Sequence, residues 1–447
     1  MIAHLLALLL HADAPLSVEL LDSGAGPGLP RVAERLEKAG ITVAVRSQAI
    51  ALRAQTQVFY AEGQEAAGRR VAEALGLDAS AVQLRTWKHP QHVTVAAAAL
   101  APVGTLIASG QDHTCMIRGG SVVCWGASAG GALGDGSGDG SKTPREVKDL
   151  QGATRIAAGY QHSCALLSDA TVRCWGTDEH GELGDGGKAR QLAPVPVSSA
   201  QGVVGLAAGH RHTCGLFADG AVRCWGAGGS RQLGDGSDKD SRVPVEVKGL
   251  GQVVGLALGE GHSCAVLADR SVRCWGRNVE GQLGVGGFAR GVVQPAGLPK
   301  VIAIAAGTRH TCALGVDGRV LCWGDNGYGQ LGDGTGKKRS EAKPVPGVEQ
   351  AIAIAAGNVT SCALLADGSA KCWGNGSSGQ LGDGAREKRL SPVKVQGLSG
   401  AVALAPGGAH TCAVLESGEH RCWGFNGNGE LGDGTDTLRA APAGESR

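Results

Sequence analysis

Short apolar segments separated by glycine-rich turns recur along most of the chain. Ile302–Ala306, His310–Leu314 and Arg319–Trp323 are apolar or alternate apolar with polar positions. A fourth such segment follows a proline, as in Val245–Val247. Segments of this length bounded by Gly, Asp and Pro are typical of β-strands. The repeat unit lacks the 3.6-residue period of an amphipathic helix, which excludes helical solenoids.

Seven tryptophans mark the period of this pattern. A period near 50 residues, with four short strands in each unit, predicts one propeller blade per unit. The predicted fold class is therefore mainly β, a seven-bladed β-propeller over residues 103–447. The 75 glycines among 447 residues fit a protein with many tight turns. The successive spacings are 50, 50, 50, 48, 50 and 50, at Trp125, Trp175, Trp225, Trp275, Trp323, Trp373 and Trp423.

The repeat carries a long formula that residues 303–334 show well: Gly-x-x-His-Thr, then Asp-Gly, Trp-Gly and Gly-Gln-Leu-Gly. On these motifs, residues 103–442 resemble the regulator of chromosome condensation family, whose members form seven-bladed propellers. The added cysteines are similar to those of secreted bacterial members.

The cysteines lie only in the repeats, two in each. Six pairs are ten positions apart across a turn such as Asp317-Gly318, which is a hairpin signal, and the first pair is nine apart across Gly119-Gly120. Counting outward from either turn places the two cysteines opposite each other on adjacent strands, where a disulfide can form. A metal site would need three or four converging ligands. The predicted disulfides are Cys115–Cys124, Cys164–Cys174, Cys214–Cys224, Cys264–Cys274, Cys312–Cys322, Cys362–Cys372 and Cys412–Cys422.

Regular cysteine pairs favour an oxidising compartment. The apolar start and Ala12-x-Ala14 predict a signal peptide over residues 1–14, although no basic residue precedes the apolar run. The alternatives are a short buried segment or a misplaced start. No apolar run is long enough to span a bilayer, so we expect no transmembrane span and a secreted, periplasmic or envelope location. A formal net charge of +1 without a basic stripe argues against a nucleic-acid partner.

Six histidines share one phase, just before the first cysteine of the repeat. A ring of metal ligands is one interpretation, but Thr360 occupies this place in the sixth repeat, so we expect each histidine to hydrogen-bond the turn of its own blade. Asp135–Gly140 superficially resembles a calcium loop but lacks the bidentate acid. We therefore predict neither a metal nor a cofactor. The histidines are His113, His162, His212, His262, His310 and His410.

The two residues between the glycine and the histidine vary from repeat to repeat. In a propeller these turns ring one face, and residues freed from a repeat formula are where recognition can reside. The family resemblance points to the same face, which carries partner contacts in several members. Plain solvation of these loops is the alternative. The predicted partner-binding residues, with two aromatic residues from other loops, are Asp112, Tyr160, Arg211, Glu260, Arg309, Tyr328 and Phe425.

Residues 15–98 predict a small α/β domain with a βαββαβ-like order. Helices are expected after Pro30 and over Gln64–Leu75. The glycine-rich Ser23–Pro30 contains two prolines, and no acidic residue follows the next strand, so dinucleotide binding is not predicted. The order of glycine-rich turn, helix, Gly-Ile-Thr-Val and Gly-Gln-Glu-Ala-Ala resembles the C-terminal domain of LytR/CpsA/Psr cell-envelope proteins. The strands are expected at Val18–Leu21, Ile41–Val45, Gln57–Tyr60, Val82–Leu84 and Val93–Val95.

Closure of the propeller ring is a separate question, because only 13 residues follow Gly434 and they make a poor strand. Val103–Ala108 is already the first strand of the first repeat. We expect Val93–Val95 to end the N-terminal sheet and the Ala440–Ala443 tail to close the ring weakly.

Three functions remain open at this point. The first is a non-enzymatic protein-binding scaffold outside the cytoplasm, since no arrangement of catalytic residues stands out from the repeat. The second is an inhibitor of a secreted enzyme, similar to the propeller-type β-lactamase inhibitors, which exposed aromatic residues would favour; the candidates are Tyr160, Tyr328, Phe288 and Phe425. The third is a guanine-nucleotide exchange factor, an intracellular role that the cysteine pairs argue against.

The cysteine register gives a direct prediction. Peptide mapping of the natively recovered protein without reduction should link each cysteine to its partner within the same repeat, with no free thiol. Free thiols throughout the protein would contradict both the pairing and the oxidising compartment.

Overall fold

The computed structural model describes residues 106–442 and, before them, the main chain of six strands between residues 3 and 98. The chain divides into two compact units, Met1–Pro102 and Val103–Arg447.

The six strands of the first unit form one sheet in the order β3-β2-β1-β6-β4-β5. Five of them lie where the sequence predicted strands. The sixth, β1, pairs antiparallel with both β2 and β6, although its residues belong to the segment that we interpreted as a signal peptide. The predicted helices, the glycine-rich Ser23–Pro30 and Ala12-x-Ala14 lie outside the described residues, so the α/β class stays a prediction. The strands are β1 (Ala3–Leu9), β2 (Ser17–Asp22), β3 (Thr42–Gln48), β4 (Gln57–Tyr60), β5 (Val82–Leu84) and β6 (His92–Ala98).

The second unit is a seven-bladed propeller, with seven antiparallel sheets within residues 106–442. Blade one consists of β7 (Ile107–Ser109), β8 (His113–Arg118), β9 (Ser121–Gly126) and β10 (Ser141–Glu146), and blade two of β11 (Ala153–Ala158), β12 (His162–Leu167), β13 (Val172–Gly176) and β14 (Gln191–Pro196). Blade three consists of β15 (Val203–Ala208), β16 (His212–Phe217), β17 (Val222–Gly226) and β18 (Ser241–Glu246). Blade four consists of β19 (Val253–Leu258), β20 (His262–Leu267) and β21 (Val272–Gly276). Blade five consists of β22 (Val301–Ala306), β23 (His310–Gly315), β24 (Val320–Gly324) and β25 (Arg339–Pro344). Blade six consists of β26 (Ala351–Ala356), β27 (Thr360–Leu365), β28 (Ala370–Gly374) and β29 (Arg389–Lys394). Blade seven consists of β30 (Ala401–Pro406), β31 (His410–Leu415) and β32 (His420–Gly424).

The expectation of four strands in every blade is wrong for blades four and seven. In each of these, the described residues form three strands, and one isolated bridge stands in place of the fourth. The bridges join Cys274 to Val293 and Gly424 to Arg439.

The cysteine pairs lie as the register predicted. Cys164 pairs directly with Cys174 across β12 and β13, and the same holds in every blade. All seven pairs are at disulfide distance, and the shorter first hairpin keeps its register through two positive-φ glycines, Gly119 and Gly120. The described residues include no free cysteine.

Neighbouring blades are joined at one main-chain carbonyl. The carbonyl of Ala132 in blade one accepts hydrogen bonds from Trp175 Nε1 at 2.8 Å and from Ser163 Oγ at 3.2 Å, both in blade two. Every tryptophan of the repeat is fully buried and makes the same bond to the blade before it, and Trp125 closes the ring through Glu430 O at 2.9 Å. The other carbonyls belong to Glu182, Gln232, Gln282, Gln330 and Gln380.

The histidines complete these joints, which corrects the expectation that each binds the turn of its own blade. His113 Nε2 lies 2.9 Å from Ser163 Oγ in the next blade. Since the serine proton goes to the Ala132 carbonyl, the imidazole must donate from Nε2. Each histidine ring also fixes the turn of its own blade sterically. In blade two, for example, a Cβ on Gly159 would lie 2.1 Å from His162 Cε1. A structural role, rather than a metal ring, follows from this geometry.

The ring closes without a blade shared between the two ends of the propeller. β6 lies in the N-terminal sheet, as predicted, and blade one is built from its own four consecutive strands. Blades seven and one meet through His410 Nε2 to Thr114 Oγ1 at 2.8 Å and Ser109 Oγ to Ala405 O at 2.9 Å. The C-terminal tail contributes Arg439, one residue before the predicted Ala440–Ala443. Closure therefore uses mainly the same joint as every other pair of blades.

The hairpin turns offer a matched test of backbone strain. Ala170 and Gly220 occupy equivalent positions, with φ of 64° and 85°. A Cβ on Gly220 would meet nothing within 4 Å, so only its backbone conformation matters. We expect Ala170→Gly to stabilise the protein and Gly220→Ala to destabilise it, each by about 1 kcal/mol, because a left-handed conformation costs a residue with a Cβ. Denaturant midpoints would show this, and shifts of the same sign would contradict it.

The buried histidines predict strong acid sensitivity. Burial lowers the pKa of His113 and His310 to about 4, and that of His162, His212, His262 and His410 to about 3. The unfolded chain takes up these protons near pH 6.5, while the folded chain does not. Stability should therefore be retained above pH 6.5 and fall as the pH drops toward 4, by up to about 1.4 kcal/mol per pH unit for each histidine.

Denaturant midpoints measured from pH 7.5 to 4.5 would show this slope. His212→Gln should reduce the pH dependence of the unfolding free energy below pH 6.5 by the contribution of one histidine, up to about 1.4 kcal/mol per pH unit. It should leave the pH dependence above pH 7 unchanged. A stability that does not change between pH 7 and pH 4.5 would contradict the histidine assignment.

Candidate functional site

The order of strands sorts the loops onto two faces of the propeller. Each first strand runs to the Gly-x-x-His turn, and each third strand returns to the same side, where the long loop to the fourth strand begins. We call this side the loop face. The opposite side carries the hairpin turns between second and third strands and the links between blades, and we call it the hairpin face. All seven predicted partner-binding residues lie on the loop face.

A belt of main-chain hydrogen bonds surrounds the central channel at the loop face. The first residue of each turn donates its N–H to a carbonyl of the next blade, as Tyr160 does to His210 O at 3.0 Å and Thr308 to Asn358 O at 3.0 Å. The channel mouth that these turns line encloses only about 80 Å³. Ligand pockets are commonly 300–1,000 Å³, so this mouth is too small for an ordinary small-molecule ligand.

The first residues of the turns fill this mouth with their own contacts. His210 Nε2 lies 3.2 Å from Asn358 Oδ1, and Asn358 Nδ2 donates to Gln111 Oε1. The ring of Tyr160, a predicted binding residue, packs 5.3 Å from that of His210. Tyr160 is half-buried in this arrangement, so its ring serves the closure of the channel as well as the face.

The predicted charged residues are engaged with neighbours. Arg309 Nε and Glu260 Oε2 form a salt bridge of 2.9 Å. Burial alone would raise the pKa of Glu260, but the hydrogen bond and charge of Arg309, together with Arg277, hold it below its ordinary value. Arg211 donates to His180 Nε2 at 3.1 Å. These side chains present a paired surface rather than isolated charges.

The remaining predicted residues differ in exposure. Tyr328 and Phe425 stand on loops with 49% and 36% of their surface exposed. Asp112 is half-buried, and burial raises the pKa of its carboxyl group. Tyr328 and Phe425 are therefore the better candidates for contact with a partner.

A groove of about 920 Å³ opens on the loop face between the loops of blades three, four and five. The two most exposed large apolar side chains of residues 106–442 lie in it, Phe288 at 82% and Val279 at 66%. Exposed apolar patches rimmed by polar residues are typical of interaction sites. This groove is the main candidate for a functional site on the propeller.

The groove follows from a change in the repeat. Between its third strand and the bridge at Val293, blade four is two residues shorter than the corresponding stretch of the four-stranded blades. Val285 replaces the aspartate that elsewhere binds the arginine opening the fourth strand, as in the Asp333–Arg339 salt bridge. Blades two and three also lack that arginine and still form four strands, so the shortened loop is the decisive change.

The walls of the groove are polar and mixed in charge. Lys338 pairs with Glu280 at 2.9 Å. Arg277 Nε is buried without a hydrogen-bond partner among the described residues. Arg277 also lowers the pKa of Glu260, which links the groove to the predicted Glu260–Arg309 pair. The sequence pointed to this region of the face through Glu260, Arg309 and the aromatic candidate Phe288, but not to Val279; the 48-residue spacing after Trp275 was the available signal for the shortened loop.

Other kinds of site are not apparent in the described part of the chain. Residues 106–442 hold no group of three or more His, Cys, Asp or Glu side chains placed to bind a metal ion. Among the residues described, no helix is both long and apolar enough to cross a membrane.

The sequence profile of the Regulator of chromosome condensation (RCC1) repeat matches residues 119–166, 169–216, 219–266, 271–314, 317–364 and 367–414. A second profile with the same description matches residues 153–182, 203–232, 253–282, 301–330 and 351–380. No curated protein matches the chain.

Solved structures with a similar fold include yeast RCC1 (Prp20) bound to Kap60, with a TM-score of 0.67, 24% identity and coverage of 77% of this chain and 85% of that one. Prp20p from Saccharomyces cerevisiae has a TM-score of 0.67 and 24% identity, with coverage of 76% of this chain and 88% of that one. Human WBSCR16 has a TM-score of 0.65 and 24% identity, with coverage of 72% of this chain and 94% of that one. At this identity the likeness concerns the fold alone.

Proposed function

The chain belongs to the regulator of chromosome condensation (RCC1) repeat family, and on that premise we propose that it is a non-enzymatic protein-binding scaffold outside the cytoplasm. The groove with Phe288 and Val279 carries this proposal, because it presents apolar side chains that nothing within the propeller covers. The related yeast propeller is bound to Kap60 in one structure, and Prp20p has binding properties toward Gsp1p and histones.

The paired cysteines support the location. Many buried cysteine pairs point to an oxidising environment, which the periplasm, the envelope and the extracellular space provide. This environment argues against an intracellular nucleotide-exchange role. The proposed LytR-like N-terminal domain would add a cell-envelope setting.

Inhibition of a secreted enzyme is the second candidate. Phe288, Tyr328 and Phe425 are exposed on the same face, and aromatic side chains are enriched among residues that dominate binding energy. An inhibitor would use them to block an active site, whereas a scaffold would bind a partner away from its catalytic centre.

The proposal predicts that the groove, and not the whole surface, captures the partner. Envelope extract passed over the immobilised full chain should yield a protein whose affinity falls at least about tenfold with Phe288→Ser, because a buried aromatic anchor contributes 1–2 kcal/mol or more. The melting temperature should stay the same, since surface substitutions change stability by about 0.5 kcal/mol or less.

Val316→Ser is the matched control, since Val316 is 44% exposed but lies on the hairpin face. It should leave capture unchanged. Equal loss in both variants, or loss only on charge reversal at Arg211, Glu260 and Arg309, would move the site away from the groove. Inhibition of a captured enzyme would favour the second candidate.

A further inference from the structure

The loop between the third and fourth strands encloses a small cage of oxygen atoms. In blade five, Asn326 Oδ1 accepts the N–H of Leu331 at 2.9 Å, and Asn326 Nδ2 donates to Asp333 Oδ1 at 3.0 Å, Thr335 O at 2.9 Å and Lys337 O at 3.2 Å. Asn426 makes the equivalent bonds in blade seven. An amide N–H₂ group therefore satisfies one carboxylate and two carbonyl oxygens.

Blade two has an aspartate at this position. Asp178 Oδ1 accepts the N–H of Leu183 at 3.1 Å, so the side chain is oriented as the asparagines are. Its other oxygen, Oδ2, then takes the place of the donating amide nitrogen. Asp178 is only 1% exposed, and Oδ2 has no hydrogen-bond partner. A buried carboxylate oxygen thus points into a set of oxygens.

The rest of the blade-two cage matches that of blade five. The two loops have the same length, and Asp185, Gly187 and Ala189 stand where Asp333, Thr335 and Lys337 stand. The N–H of Gly187 donates to Asp185 Oδ1 at 2.6 Å, as that of Thr335 does to Asp333. The carboxylate and the two carbonyls that an amide satisfies elsewhere are therefore expected around Asp178 Oδ2.

Blade two also lacks the cation that the other cages have. Asp333 pairs with Arg339 and Asp433 with Arg439, but Gln191 occupies that position in blade two. Relative to blades five and seven, this cage gains one negative charge at Asp178 and lacks the arginine that pairs with the aspartate there. Within residues 106–442, neither Asp178 nor Asp185 has a salt-bridge partner.

Two nearby groups leave Asp178 Oδ2 without a hydrogen-bond partner. Arg242 Nη1 donates to Gly187 O at 2.7 Å and Nη2 to Glu179 O at 3.3 Å, so its guanidinium lies at the rim. Glu182 is a further buried carboxylate, held by the N–H of His180. Glu430 takes the same position in blade seven, where the cage is complete, so Glu182 is not the distinguishing residue.

The electrostatics agree with an incomplete site. Burial, and then the charge of Asp185, raise the pKa of Asp178, while the Leu183 N–H and Arg242 oppose the shift only in part. The negative charge of Asp185 disfavours the ionised form of Asp178, and a bound cation would favour it. Carboxylate and main-chain carbonyl oxygens are the ligands that Ca²⁺ prefers, with water completing the shell.

We propose that the blade-two loop binds a calcium ion through the carboxylates of Asp178 and Asp185 and the main-chain carbonyls of Gly187 and Ala189. The site differs from Asp135–Gly140 of blade one, which only superficially resembles a calcium loop because it lacks a bidentate acid. It lies apart from the blade-four groove, so it is independent of the proposed partner.

Calorimetric titration of the chelator-treated full chain with CaCl₂ tests the site. We expect one saturable event with a Kd of about 10⁻⁴–10⁻³ M, the range of extracellular calcium modules. The melting temperature in saturating CaCl₂ should exceed that in EDTA by a few degrees. Asp178→Asn should abolish both effects and, in EDTA, melt no lower than the wild type, because it restores the amide of blades five and seven.

Asp139→Asn is the matched control, since this exposed aspartate belongs to the calcium-like stretch of blade one. It should leave the titration unchanged. Absence of a saturable event in the wild type, or an unchanged Kd in Asp178→Asn, would overturn the site. Equal stabilisation by MgCl₂ would overturn the assignment to calcium. A stabilising effect of Asp178→Asn that is the same in CaCl₂ and EDTA would instead indicate a protonated Asp178.

Discussion

One main-chain carbonyl per blade holds this propeller together. In six of the seven joints it accepts both the indole N–H of a buried tryptophan and the hydroxyl of a serine or threonine from the next blade, and in the seventh Glu430 O accepts the indole N–H of Trp125. In blade two these donors are Trp175 and Ser163, which face each other across β12 and β13. The Cys164–Cys174 pair is the next rung of the same ladder. The disulfide therefore fixes the two donors relative to each other, and the spacing between blades follows from that geometry.

Most of the propeller fold could be predicted from the sequence, because the strongest sequence signals are periodic. Trp-Gly, paired cysteines and Asp-Gly turns each depend on residues close in the chain, so counting along the repeat placed the strands and the cysteine register. The histidine partner could not be found in this way. Repeat phase locates His113 on a strand, but whether its ring reaches its own turn or Ser163 of the next blade depends on packing between blades 50 residues apart.

Ring closure and the candidate groove show the same limit. The expectation that the Ala440–Ala443 tail closes the ring considered main-chain pairing alone, whereas side chains such as His410 and Trp125 carry the joint. The groove was visible in the sequence only as a shorter spacing after Trp275. Its consequence, a blade whose fourth strand is reduced to one bridge at Val293, depends on how the shortened loop lies over β21.

The use of a main-chain acceptor explains why the loops can carry function. The accepting residue is alanine in blade one, glutamate in blade two and glutamine in blade three, and the joint is the same in all three. Blade six lacks the histidine, yet Thr411 and Trp423 still bond to Gln380 O. Since the joint constrains only the backbone at this point of the loop, neighbouring loop residues can change without loosening the ring. Blades two and four contain the largest such changes. Blade two has a buried carboxylate, Asp178, one oxygen of which has no hydrogen-bond partner, and blade four has a shortened loop with an exposed phenylalanine. Neither change adds a hydrogen bond or a strand to its blade, and the two binding sites proposed above would give both a role.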